Sequence, residues 1–130
     1  MLVIAHKVVS KAEGRVRDLG AVEPSERARE LAASHDKDPR LVQVVLDETA
    51  TLLRADHGVF ICETHHGLIC ANAGVDRSNA QEDHAVLLPA DPDRSARELR
   101  ARLPGRPAVL ISDSFGRAWR LGQVDVAIGA

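Results

Sequence analysis

Two aspartate–proline pairs, Asp38-Pro39 and Asp91-Pro92, do most to restrict what this chain can become. An aspartate at a helix N-cap accepts the first unpaired amide hydrogens. Proline suits the first helical position, because the hydrogen it lacks there has no intrahelical partner. Each pair therefore marks where a helix starts, and the apolar runs between helices are left to form strands. After Asp38, the set Leu41, Val42, Val45, Leu46, Leu52 and Leu53 predicts a helix to about Arg54 with a broad buried face. After Asp91, Ala96, Leu99 and Leu103 predict another, ended by Pro104-Gly105. A third, running to about His35, follows from Pro24 and Glu26 and the spacing of Ala28, Leu31 and Ala32.

Short apolar runs fill the gaps. Leu2–Ala5, Ala85–Leu88 and Val109–Ile111 read as buried strands, Arg15–Leu19 as a weakly alternating one, and Val124, Val126 and Ile128 as a half-buried one. Val59–Cys62 and Leu68–Ala71 read as the arms of a hairpin within Gly58–Asn72, turning at His66-Gly67. The expected fold class is α+β (mixed α/β), with about three helices packed on a mixed sheet that includes this hairpin. With no internal repeat or linker, residues 1–130 read as a single domain.

Composition narrows the function. With 17 Lys+Arg against 19 Asp+Glu, nothing marks a bulk nucleic-acid or membrane binder. Tyrosine is absent and the other aromatics are scarce, which is thin material for stacking bases. The apolar runs are too short to span a bilayer, the first residues do not read as a signal peptide, and two cysteines do not make a secreted scaffold. A cytoplasmic location is expected.

Polar residues gather after strands at three places. His6 opens a predicted helical turn ended by Gly14, in which Lys7 and Lys11 stand four apart on one face. Like charges so placed repel, and a bound phosphate relieves that; an exposed basic edge is the alternative. Asp76, Ser78 and Asn79 cluster side-chain oxygens after Gly74, either as ligands or as a plain turn. Ser112, Asp113 and Ser114 follow the strand Val109–Ile111 and lead to Arg117, Arg120 and Gln123. Oxygen ligands at a strand end suit Mg²⁺, which takes one or two carboxylates plus substrate phosphates, and arginine forks suit phosphate. The alternative is a polar loop with surface arginines. Cys62, Cys70, His65 and His66 have ligand types suited to zinc but not the usual spacing, and cysteine is also a small core hydrophobe. Neither a G-x-x-x-x-G-K-[ST] loop nor a G-x-G-x-x-G fingerprint is present.

The segments HKVVSKAEGR, ETHHGLICANAGVDRSN, LLPADPDRSARELR and ISDSFGRAWRLGQVDVAIG together resemble the coenzyme F420-0:L-glutamate ligases, in order and over essentially the whole chain. The most specific pair is AGVD-x-SN with SDSFGR-x-WR-x-GQ. The resemblance implies a GTP- and metal-dependent ligase that joins L-glutamate to F420-0, a deazaflavin precursor, through an acyl phosphate. It implies Mg²⁺ or Mn²⁺, with K⁺ as a further candidate, and a homodimer. Asp76, Asp113 and Ser114 match metal positions; His6, Lys7, Lys11 and Asn79 match GTP positions. Arg117 and Arg120 lie in the motif as candidate phosphate or substrate contacts. The likeness is to the central part of the family domain, without its N-terminal segment and C-terminal half. The rival expectation is therefore an incomplete metal- and nucleotide-binding piece that needs a partner chain.

Overall fold

A computed structural model describes residues 1–78, 80–116 and 123–130. In chain order the elements are β1 (Leu2–Ala5), α1 (His6–Ala12), β2 (Val16–Asp18), α2 (Glu26–His35), α3 (Pro39–Asp47), β3 (Thr49–Asp56), β4 (Val59–Thr64), β5 (Ile69–Ala71), β6 (His84–Val86), α4 (Pro92–Arg102), β7 (Val109–Gly116) and β8 (Gln123–Gly129). The fold class is α+β, as expected, with α1 counting as a fourth helix. Among the described residues, no helix is long and apolar enough to cross a membrane.

The chain divides into two compact units. The first comprises Met1–Arg15 and Leu88–Ala130. Its sheet has the order β1-β7-β8, with β1 parallel to β7 and β7 antiparallel to β8. Helix α4 starts as the sequence predicts: Asp91 Oδ1 accepts from the Arg94 amide at 2.8 Å, with Pro92 in the first turn. This helix packs against β7 and β8. Contact is closest at Gly129, where a Cβ would lie 2.5 Å from the Pro92 carbonyl carbon and oxygen. Val9, Val109, Ile111 and Ile128 supply buried side chains.

The second unit is Val16–Leu87. Helices α2 and α3 pack on each other, and their buried faces join β4 in a core of Ala28, Ala32, Val42, Val45, Phe60, Cys62 and Ala73. A neighbouring cluster gathers Leu19, Val44, Ala85 and Leu87. Both helices have side-chain caps, Ser25 Oγ accepting from the Ala28 amide at 3.2 Å and Asp38 Oδ1 from the Arg40 amide at 2.9 Å. The hairpin turns where the sequence places it. Gly67 has φ 78°, and its amide donates to the Thr64 carbonyl at 2.9 Å.

Strand β1, expected to be buried, is largely exposed, β6 is His84–Val86 rather than Ala85–Leu88, and two boundaries differ more widely from the sequence reading. The helix expected to reach about Arg54 ends at Asp47, and Thr49–Asp56 is a strand paired with β4. Leu52 keeps its inward position but packs from a strand, next to the β-branched Thr49 and Thr51. Strand β7 is also longer than its apolar start: it continues through Ser112, Asp113 and Ser114 to Gly116, because β8 supplies hydrogen-bond partners across that whole length.

The hairpin leads into a left-handed turn. Asn72, Ala73 and Gly74 have φ of 50°, 52° and 73° in succession. Left-handed backbone costs an ordinary residue about 1 kcal/mol or more, least for Gly and Asn. Asn72 is held there by its own side chain, whose Oδ1 accepts from the Phe60 amide at 3.2 Å.

Candidate functional site

Register builds the first polar cluster. In the parallel pair, Ile4 lies opposite Ile111 and Ala5 opposite Ser112; beyond that pairing the chain leaves the sheet at His6, while β7 runs on through Asp113 beside β8. The chain turns into α1 directly at His6, with Ala5 as its N-cap. His6 is buried, and its Nε2 lies 3.1 Å from Asp113 Oδ1, a carboxylate whose side chain is 16% exposed. An ionised carboxylate only accepts, so the Nε2 proton points at Asp113. In the neutral ring Nδ1 is left to accept from Ser10 Oγ at 3.4 Å, one turn along the helix. Asp113 Oδ1 also accepts from the Ser114 amide at 2.8 Å. The imidazole and the Ser114 amide thus hold the same carboxylate oxygen, Oδ1.

Alternation along β7 sends the next side chain elsewhere. Ser114 lies opposite Asp125 in the β7–β8 pairing, and its Oγ donates to Asp125 Oδ1 at 2.6 Å. Asp113, Ser114 and Asp125 are all oxygen donors, the ligand chemistry that suits a hard divalent cation. Among the described residues no three His, Cys, Asp or Glu side chains converge on one point where a metal could sit. That is compatible with Mg²⁺, which takes few protein carboxylates and completes its shell from phosphates and water. Asp125 was not singled out in the sequence, where it is merely the polar partner of Val124 and Val126. Its signal emerges only once β7 is known to run on past Ile111. Lys7 and Lys11 stand on α1 at the expected spacing of four.

The other predicted carboxylate, Asp76, belongs to the second unit. Its backbone bridges to Val86, donating to that carbonyl at 3.0 Å and accepting from that amide at 2.8 Å. Its side chain folds onto its own loop: Oδ1 accepts from the Ser78 amide at 2.7 Å, and Oδ2 from Ser78 Oγ at 2.6 Å. This is an Asx turn, the local alternative open in the sequence, and it presents a half-exposed carboxylate. Asn79, Arg117 and Arg120 lie outside the described residues.

Cys62 and Cys70 lie opposite each other across β4 and β5, and both are buried. Cys62 belongs to the apolar core, while His65 Nε2 is engaged with the Asp47 carbonyl at 3.1 Å. This is the environment of core cysteines.

Residues 1–130 match the family model described as F420-0:Gamma-glutamyl ligase. The chain is similar to the coenzyme F420:L-glutamate ligase of Methanopyrus kandleri, with 50% identity over all of this chain and 53% of the relative. It is 44% identical to the enzyme of the same name from Methanothermobacter thermautotrophicus over 99% of this chain and 53% of that one. For Haloarcula marismortui the figures are 39% identity, 99% and 54%. The chain thus spans about half the length of the curated relatives it matches.

Proposed function

We propose that this chain, which belongs to the F420-0:gamma-glutamyl ligase family, handles metal and phosphate in the joining of L-glutamate to F420-0. The observation that carries this reading is the contact of buried His6 with Asp113 just beyond the last residues at which β1 and β7 pair in parallel. Open sheets with parallel strands tend to bind ligands beyond the carboxyl ends of those strands.

In the proposed reaction, a carboxylate oxygen of F420-0 attacks the γ-phosphorus of GTP. The bond to the bridging oxygen breaks, and GDP leaves with that electron pair. The glutamate amine then attacks the acyl phosphate carbonyl, phosphate departs, and the ammonium proton is lost to form the amide. Phosphoryl transfer of this kind depends mostly on positioning and on neutralising charge. Asp113 on one face of β7, and Ser114 with Asp125 on the other, are oxygen donors suited to holding Mg²⁺ or Mn²⁺, which when bound would neutralise phosphate oxygens. His6 acts through Asp113, keeping its carboxylate in one orientation. Lys7 and Lys11 add positive charge for phosphates. Asp76 and Asn79, with Arg117 and Arg120, are assigned to metal, nucleotide and substrate as the family resemblance implies. K⁺ is a further candidate cation.

The test is GDP release from GTP with F420-0, L-glutamate and Mn²⁺. The expected outcome is turnover that Asp113→Ala abolishes; turnover unchanged in that variant contradicts the assignment. A second reading is favoured by the coverage of only 53% of the relatives' length. In it the chain binds metal and nucleotide but turns over only with another chain, and binding without GDP release supports it. Self-association is also proposed, since Leu2 and Val3 are exposed on β1, the outer strand of its sheet. Analytical ultracentrifugation distinguishes dimer from monomer.

A further inference from the structure

The second unit holds a cavity that the metal and phosphate assignments leave unexplained. It has a volume of about 190 Å³, with an apolar floor of Leu41, Val42, Val45 and Phe60 and with Lys37 and Arg77 in its wall. Sites that take a whole drug-sized ligand run to about 300–1,000 Å³, so this one suits a single part of a larger molecule. A flat group asks the least opening of a floor whose Val42, Val45 and Phe60 are at most 3% exposed. Phe60 is nearly fully buried, its ring meets His35 edge-on with centroids 5.2 Å apart, and Lys37 Nζ stands 5.8 Å from its centroid. Both neighbours restrict how that ring can turn.

Charge at the cavity points the same way. Among the lining residues Lys37 and Arg77 meet one carboxylate, Asp76, whose two oxygens already accept from Ser78, while Asp38, outside the lining and held by Arg40, also feels the Arg77 charge. A net positive charge remains beside an apolar floor, which favours a ring carrying an anion over a neutral hydrocarbon. The strained run Asn72–Gly74 forms part of the same wall through Asn72 and leads straight into Val75 and Asp76. Strain of this kind is tolerated where the backbone must present something at one place.

We propose that this cavity seats the flat heteroaromatic ring of a phosphate-bearing ligand, with Lys37 and Arg77 answering its phosphate. The inference rests on the ligase reading for its two sources of such a group, the purine of the nucleotide or the deazaflavin of F420-0. The test follows the methyl signals of Leu41, Val42 and Val45 by NMR while guanosine monophosphate, F420-0 or ribose 5-phosphate is added to the full chain. One of the two ring compounds is expected to shift those signals saturably, and the tighter binder names the source; ribose 5-phosphate, which has no such ring, should not. Leu41→Trp, which fills the cavity from a half-buried lining position, should abolish the shifts. The double variant Lys37→Gln and Arg77→Gln, at positions outside the apolar core, should weaken binding about tenfold. Ring compounds that leave these methyls unmoved overturn the proposal, as do affinities unchanged in both variants. GDP turnover measured on the same samples separates the two readings. Cavity binding without turnover counts against the ligase alone, and turnover indifferent to both variants counts against the cavity alone.

Discussion

The two units hold their predicted carboxylates in opposite ways. Asp113 is oriented by a residue more than a hundred positions away, through a buried imidazole that reaches it only because β1 and β7 run parallel in one register. Asp76 is oriented by Ser78, two residues along, in a turn that any short stretch of chain could make. The first side-chain arrangement exists only if its unit is folded; the second is made within three residues, on a backbone bridged to Val86. It follows that a substitution at the Asp113 site should disturb stability and ligand binding together. One at the Asp76 turn should alter binding with little effect on stability.

The sharpest way to break this contrast is His6→Ala. It removes the donor from a mostly buried carboxylate and leaves a void beside Ser10, and should cost about 2–3 kcal/mol in chemical denaturation. A loss under about 0.5 kcal/mol would show that Asp113 needs no tertiary support. Gly129→Ala comes next. Its new Cβ meets Pro92 backbone that cannot swing aside, and overpacking of this kind costs about 1–3 kcal/mol. The loss should appear in thermal melting, with the β1–β7–β8 signals most affected.

In the second unit the largest local effect should come from the α3 cap. Asp38→Ala should cost about 1 kcal/mol. The hydrogen bond from the Arg40 side chain holds the Asp38 carboxyl below its ordinary value of 3.8, outweighing the opposing effect of partial burial. Because that pKa is lowered on folding, the ionised cap contributes fully above the ordinary value. Its contribution is lost as pH falls through the lower, folded value. The stability gap between the native protein and Asp38→Asn should therefore close in acid, and a gap that widens there would contradict the assignment. Smallest of all, Ser78→Ala should change stability by less than about 0.5 kcal/mol, since its hydroxyl bond to Asp76 lies in an exposed turn.

The same contrast explains what the sequence reveals. Features set by neighbouring residues are legible: the Asp38-Pro39 and Asp91-Pro92 starts, the turn at Gly67, and the Lys7–Lys11 spacing all lie where local chemistry puts them. Features set by pairing are not. Leu52 continues a helical pattern from Leu46, yet pairing with β4 draws Thr49–Asp56 into a strand. Asp125 becomes a site residue only through the register that sets it opposite Ser114. Asp113 could be singled out from its strand-end position, but its bond to His6 depends on a parallel pairing that no local pattern encodes.

The central claim is that a His6-held Asp113 is the carboxylate on which metal and phosphate binding depend. It is tested most directly by titrating GTP with Mn²⁺ into the full chain by calorimetry, beside Asp113→Ala, His6→Ala and Asp76→Ala. The expected result is binding that Asp113→Ala abolishes, that His6→Ala weakens along with stability, and that Asp76→Ala weakens without loss of stability. Metal-dependent GTP binding that survives Asp113→Ala undiminished would contradict it.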